Sequence, residues 1–267
     1  MTRDRLFHAT LLAIVLGYVL LIAAMLLADA WSLQWPALRD ALTDPAIRYA
    51  TLLSLLTSTL AALLSLIVAV PAGYLLSRRS GRGWGVLELA FDVPIVLPPL
   101  VIGLSLLVLF QTGPGRWLDG LVGSLGLPGI AGVTFEVPAI VLAQFVVGAA
   151  FATRAMRTTF DQLSSRREDI ALTLGATRGQ AFFRVSLPEA RRGMVEAYTL
   201  AWSRCLGEFG PVLVFAGATR FKTEVLPTSI YLQLNVGDLQ GALATAMLLV
   251  TLAATALLVV RWIGRSR

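Results

Sequence analysis

The sequence has very few of the residues that build disulfides, metal sites and nucleotide-binding loops. Its 267 residues include one cysteine and one histidine, and Lys222 is the only lysine. A single cysteine excludes an intrachain disulfide, and a metal site built from His and Cys clusters cannot be assembled within the chain. The phosphate loop GxxxxGK[ST] is absent, because Lys222 follows Phe221 and not glycine. We therefore expect no catalytic residue, bound cofactor or metal ligand in this chain.

Charge is also scarce, and apolar residues take its place. Hydrophobic residues make up 57% of the chain, charged residues only 14%, and the mean hydropathy is +0.76. An average soluble domain is about 45–50% apolar and about 25% charged. The composition thus indicates a membrane protein. Its net charge of +6 then relates to topology and not to nucleic-acid binding.

Six apolar runs are long enough to cross a bilayer, since about 20 helical residues span a hydrocarbon core of roughly 30 Å. They occupy about residues 9–28, 51–76, 86–110, 136–155, 195–217 and 241–263. The first run has a second interpretation as a signal peptide, because Ala28-Asp29-Ala30 resembles a cleavage site. Its length exceeds the roughly 7–15 residues of a signal h-region, which favours an uncleaved anchor. The sequence predicts a single all-α polytopic membrane domain over residues 1–267.

Two of the predicted spans contain residues that are unusual in a membrane helix. Pro94, Pro98 and Pro99 interrupt the third span, and prolines kink helices where protein or a cavity covers the break. Arg204 and Glu208 lie four residues apart in the fifth span. Such a pair either fixes helix packing or lines a pathway, because charges in a bilayer must pair or face a cavity. All five residues are candidates for a pathway or gate, and an ordinary kink and a packing pair remain the alternatives.

The arginines predict the orientation of the chain. Sixteen of the 22 basic residues lie in the N-terminus, in 77–85, in 154–193 and at the C-terminus. The positive-inside rule places such segments in the cytoplasm. We therefore expect six spans in the cytoplasmic (inner) membrane, both termini in the cytoplasm, and a cytoplasmic loop at 156–193.

The loop contains the most specific local pattern in the chain. Ser165 with Glu168, and Thr177 with Gln180, have the spacing of capping boxes at helix starts. Gly175 suits a helix stop, because it adopts positive φ without strain. The pattern predicts two short helices with an apolar stripe that must dock on a partner, on the membrane surface or on the spans of the chain itself.

This loop resembles the cytoplasmic signature loop of permease subunits of binding-protein-dependent ABC importers. That family has Glu-Ala-Ala, three residues, Gly, nine residues, and Ile-x-Leu-Pro; here Asp169-Ile170-Ala171, Gly175 and Val185-Ser186-Leu187-Pro188 match. Asp169 replaces Glu, and Ile170 replaces Ala. In the family the loop is a coupling helix that docks on an ATPase. By resemblance the ATPase-coupling positions are Glu168, Asp169, Ala171, Gly175, Ala176, Val185, Leu187 and Pro188.

The resemblance implies a type I ABC importer permease fold with the coupling helix between helices 4 and 5. It also implies a partner ATPase that carries ATP and Mg²⁺, an extracytoplasmic binding protein and a second permease copy, with a homodimer favoured over a heterodimer. Membrane lipid is the remaining expected partner. The stretches SRCLGEFGPVLVFAG and TEVLPTSIY look most like permeases for molybdate, tungstate and sulfate. Alternatives are a permease for iron(III), thiamine or a polyamine, a secondary transporter, or a membrane-embedded enzyme.

Overall fold

Helices connected by short loops form the whole of the described protein. The computed structural model describes residues 2–79, 81–126 and 130–265, and no strand occurs among them. A single π-helical turn, Phe182–Ser186, interrupts the α-helices. The helices are α1 (Thr2–Ser32), α2 (Trp35–Thr43), α3 (Pro45–Arg78), α4 (Arg82–Val96), α5 (Pro99–Gln111), α6 (Gly113–Ser124), α7 (Val137–Gln162), α8 (Arg166–Thr173), α9 (Arg178–Ala181), α10 (Leu187–Glu189), α11 (Arg191–Leu206), α12 (Gly210–Phe215), α13 (Leu226–Asn235) and α14 (Leu239–Arg265).

The core is a three-helix contact between α3, α7 and α11. Small side chains make this contact close: Ala61, Ala69, Ala152 and Ala201 are fully buried. Small residues let membrane helices approach until their backbones nearly touch. Gly73 shows how tight the packing is, because a Cβ there would lie 2.7 Å from the Met156 Cβ.

The long predicted spans are present, with longer helices than expected. The helices α1, α3, α7 and α14 are each long and apolar enough to cross a membrane. Within the described ranges that gives four spans by length and composition, or five if one bent helix pair counts as a span. The first predicted span lies in α1. No residue in the most apolar stretch of this helix is buried, as suits a surface that faces lipid.

The third predicted span is divided into two helices next to the prolines that interrupt it in the sequence. Residues Gly83–Val96 and Pro99–Gln111 form two helices at 114° to each other. Leu97 and Pro98 between them are extended, with ψ of 136° and 134°. Pro98 and Pro99 together remove two consecutive backbone donors, and each disfavours helical dihedrals in the residue before it. Two adjacent prolines therefore break the helix where one would only bend it.

The fifth predicted span is also broken. α11 ends at Leu206, and α12 begins at Gly210. Pro211 has no N–H for the carbonyl of Gly207, so a continuous helix would lack that hydrogen bond. The six-span count therefore stays a prediction, because α11 and α12 are each shorter than a bilayer-spanning helix.

The broken helices pack against each other, α5 against α12. A Cβ on Gly103 would lie 2.8 Å from the Pro211 Cα and 2.9 Å from the Val214 Cβ. A Cβ on Gly210 would lie 2.8 Å from the Pro99 Cβ. Real Cβ atoms do not approach so closely, so both positions require glycine for this contact. The bend after α4 and the break before α12 are thus held together by backbone packing.

Gly103→Ala should destabilise the protein, because the added methyl group meets backbone atoms of α12 that cannot rotate away. Overpacking of this kind costs about 1–3 kcal/mol, which corresponds to a melting temperature lower by several degrees in detergent. Gly17→Ala in α1 is the matched control, since nothing lies within 4 Å of its Cβ position. An equal melting temperature for both variants would contradict the close α5–α12 contact.

Candidate functional site: the segment between α7 and α11

The segment that follows α7 turns sharply at Gly175. Its φ is +90°, a region that residues with a Cβ rarely adopt. The Ala176 N–H donates to the Ala171 carbonyl at 3.0 Å, and the Gly175 N–H donates to the Leu172 carbonyl at 3.0 Å. These two bonds form a Schellman motif that closes α8. Ala171, Gly175 and Ala176, three of the predicted coupling positions, therefore all take part in this turn.

Only one of the two predicted capping boxes forms. The Thr177 hydroxyl accepts from the Gln180 N–H, and the Gln180 side chain accepts from the Thr177 N–H, so α9 starts as predicted. Ser165 has helical dihedrals and caps nothing. The prediction for Ser165 was wrong because the carboxylate of Glu168, which should close the box, binds residues of α3 instead.

A π-helical turn leads into Pro188. The Leu187 N–H donates to the Phe182 carbonyl, a bond that spans five residues. In a regular helix the ring of Pro188 would clash with the carbonyl of Arg184, four residues earlier. The wider turn accommodates the proline and continues the chain towards α11.

The segment has one apolar face without a partner in the single chain. Ile170, Leu174 and Phe183 are 54%, 83% and 67% exposed. Asp169 and Pro188 are exposed as well, while Ala171, Ala176, Val185 and Leu187 are partly buried. The structure therefore places the predicted coupling residues in one short segment. Asp169 and Pro188 are accessible, whereas Glu168 and the two alanines are partly buried.

The opposite face of the segment packs on the C-terminal ends of α3 and α7. The Phe182 ring lies 4.7 Å from the Tyr74 ring, and the Tyr74 ring lies 5.5 Å from the Phe160 ring, centroid to centroid. Ala181 and Ser186 are buried beside them. Aromatic pairs at these separations add packing energy beyond their buried area. The segment is therefore anchored on one side and free on the other.

Glu168 forms the polar part of this anchor. Its Oε2 accepts from the Tyr74 hydroxyl at 2.8 Å, and its Oε1 accepts from the Arg78 Nε at 3.1 Å and Nη2 at 2.9 Å. Burial alone would raise the pKa of the Glu168 carboxyl. The nearby Ser186 hydroxyl, the Tyr74 hydroxyl and the Arg78 guanidinium outweigh burial and lower that pKa. Glu168 is therefore ionised at neutral pH, as its ion pair requires.

Sequence reasoning did not find Tyr74 and Arg78 as part of this site. Arg78 entered the sequence analysis only as part of the positive charge of residues 77–85. Three arginines follow the second predicted span, and the sequence alone does not show which one turns towards Glu168.

The pathway candidates lie in a second group, at the helix breaks. The Arg204 Nη1 is 3.2 Å from the Glu208 Oε2, and the Glu208 side chain is 1% exposed. Glu208 precedes Gly210, which touches Pro99 at the bend after α4. The structure thus places Pro99 against the start of α12, two residues after Glu208. Pro94 lies inside α4, which is tied to α7 by ion pairs from Glu88 and Asp92.

Comparison with known proteins identifies the family. Residues 69–267 match the family described as "Binding-protein-dependent transport system inner membrane component". The chain is 37% identical over 241 residues to the molybdenum transport system permease protein ModB of Mycobacterium tuberculosis, covering 90% of this chain and 88% of that protein. It is 31% identical over 249 residues to the sulfate transport system permease protein CysT of Salmonella typhimurium, covering 93% and 87%. The chain therefore belongs to this family of ABC importer permeases and is a transport subunit.

A solved structure agrees on the fold. The bacterial alginate ABC transporter, crystallised with its periplasmic protein bound to an alginate pentasaccharide, matches with a TM-score of 0.73. The match covers 99% of this chain and 96% of that chain, at 16% sequence identity. At such low identity the match shows the fold alone. It confirms the predicted all-α membrane fold.

Gly175→Val should destabilise the turn after α8, because a β-branched residue is strained at φ +90° by about 1–3 kcal/mol. Limited trypsin digestion measures this effect at Arg178 and Arg184, and cleavage should accelerate by on the order of tenfold. Gly175→Asn should be milder, since asparagine tolerates positive φ. Gly179→Ala is the control, because nothing lies within 4 Å of its Cβ position. Equal cleavage of the Gly175→Val variant and the wild-type chain would contradict the turn.

Proposed function

We propose that this permease carries a tetrahedral oxyanion, molybdate or tungstate or sulfate, across the inner membrane. An extracytoplasmic binding protein delivers the anion, and a separate ATPase subunit binds ATP and Mg²⁺. The relatives named for molybdenum and sulfate support the solute class. The anchored segment with a free apolar face, closed by the Schellman turn at Gly175, is the observation that carries the coupling role.

The ATPase docks on the exposed face of the segment. Ile170, Leu174 and Phe183 present apolar area that nothing in the single chain covers, and Asp169 supplies a carboxylate beside it. Burial of such side chains against a partner contributes about 1.5–3 kcal/mol each. The positive-inside distribution puts this face and both termini in the cytoplasm, on the side of the nucleotide.

The helix breaks form the moving part of the pathway. Backbone that leaves the helical conformation inside a membrane is tolerated where it is covered by protein or lines a cavity. Arg204 is about a third exposed and lies over the Phe151 ring, whereas Glu208 is almost fully buried. A passing anion therefore meets the guanidinium before the carboxylate. Selectivity among oxyanions rests mainly with the binding protein, because the two charges of the pair largely cancel.

Two permease copies enclose the pathway between them, and a homodimer is the favoured form. Closure of the ATPase dimer draws the two coupling segments together and opens the pathway to the outside. Release of ADP returns it to the inward-facing state. The chain supplies no covalent chemistry in this cycle; its part is to move helices against each other.

Uptake by proteoliposomes tests this function. Full-length permease reconstituted with its ATPase and binding protein should accumulate radiolabelled molybdate only when ATP is inside, and tungstate should compete. Omission of the ATPase is the control. Uptake driven by a proton gradient without the ATPase would show a secondary transporter instead. ATP-dependent uptake of iron(III), thiamine or spermidine with no molybdate uptake would overturn the oxyanion assignment.

Leu174→Asp should weaken ATPase binding, because a carboxylate replaces an apolar side chain at the centre of the docking face. The loss of one buried leucine corresponds to roughly tenfold to hundredfold weaker association. The amount of ATPase that co-purifies with each permease in detergent measures this weaker association. Val236→Asp is the matched control, since Val236 is similarly exposed but follows α13, on the predicted opposite side of the membrane. Equal losses in the two variants would contradict docking at this face.

A further inference from the structure

Besides the aromatic packing of Phe182 on Tyr74, few polar bonds attach the coupling segment to the membrane helices. Its first helix, α8, packs mainly on α9 and on the π-helical turn, both within the segment. The polar bonds that reach from α8 to α3 all end on the carboxylate of Glu168. Arg78 and Tyr74 of α3 occupy both oxygens of that carboxylate. Any force on α8 that reaches α3 through polar contacts therefore passes through this one side chain.

Arg78 also holds the end of α7. Its Nη1 donates to the Phe160 carbonyl at 3.0 Å, and its Nη2 donates to the Leu163 carbonyl at 3.2 Å. The Phe160 carbonyl lies in the last turn of α7 and Leu163 is the C-cap residue that follows it, a place where a cation is favoured by the helix dipole. One guanidinium thus links three elements: its own α3, the C-terminus of α7 and the first turn of α8. The Arg78 and Glu168 side chains are only 17% and 12% exposed, so water competes little for these bonds.

We infer that Arg78 is the positioning residue through which movement of the coupling segment is passed to α3 and α7. The inference rests on the proposed function, because it needs an ATPase that moves the segment. α3 and α7 are the pair with the most extensive contact in the core, and α11 packs on both. A displacement delivered to their inner ends through Arg78 is therefore delivered to the core as a unit.

The geometry requires arginine at this position. The planar guanidinium donates in several directions at once, here to a carboxylate and to two carbonyls. A lysine carries the same charge but only a single ammonium, which cannot keep all three partners at their present distances. Arg78→Lys should therefore preserve the charge and the fold while it loosens α8 from α3. The segment would then move with the ATPase without moving the helices.

The experiment measures transport and ATP hydrolysis together in proteoliposomes that contain permease, ATPase and binding protein. In Arg78→Lys, ATP hydrolysis should stay near the wild-type rate, while molybdate taken up per ATP hydrolysed falls about fivefold to tenfold, as expected from the loss of charge-assisted hydrogen bonds. Arg79→Lys is the matched control: the neighbouring Arg79 lies over the Trp84 ring at 5.1 Å and takes no part in the Glu168 bonds. It should keep the wild-type ratio.

A second variant separates positioning from simple loss of stability. Glu168→Gln removes the ion pair from the other side, and adding Arg78→Lys to it should cause little further loss of coupling, because both changes break the same link. Parallel loss of uptake and hydrolysis in Arg78→Lys, fully additive losses, or an unchanged ratio would each overturn the inference. Failure of the wild-type complex to take up molybdate would instead contradict the proposed function itself.

Discussion

The ion pair between Arg78 and Glu168 is the interaction on which the functional part of the fold depends. It joins the second predicted span to a segment 90 residues later in the chain. Burying two charges costs solvation energy, and the cost is offset only when the remaining hydrogen-bonding groups find partners. Here the carbonyls of α7 and the Tyr74 hydroxyl supply those partners. The same set of bonds would be hard to keep if α3, α7 and α8 moved separately.

Glycine and proline define where the helices are interrupted. Pro98 and Pro99 break one predicted span, Gly207 and Pro211 break another, and Gly175 turns the segment between α7 and α11. Each break leaves the helical path for a local reason of backbone chemistry. The helix breaks before α5 and before α12 pack against each other, so the two interruptions lie at one place in the fold. Continuous helices such as α3 and α7 then serve as rigid elements between that place and the segment.

Features encoded by nearby residues were predictable from the sequence. The Gly175 turn, the Thr177 cap and the apolar face of the segment all follow from spacings of a few residues. The interruption at Pro98 and Pro99 was predicted, whereas its 114° angle was not, because adjacent prolines break a helix without fixing the angle between its two parts. The partners of Glu168 were missed for another reason. The choice among Arg78, Arg79 and Arg82 depends on how α3 and α7 lie together, which no local spacing records.

The capping box at Ser165 shows a tertiary contact replacing a contact between neighbouring residues. Ser165 and Glu168 have the correct spacing, and in an isolated helix Glu168 would be free to close the box. In the fold, Arg78 donates two charge-assisted bonds and Tyr74 donates one hydroxyl bond to that carboxylate, and together they outweigh one bond to an exposed backbone N–H. The start of α8 therefore forgoes its local cap for a tertiary contact. A local rule is given up where α8 is joined to α3, which is where the proposed coupling role requires a contact.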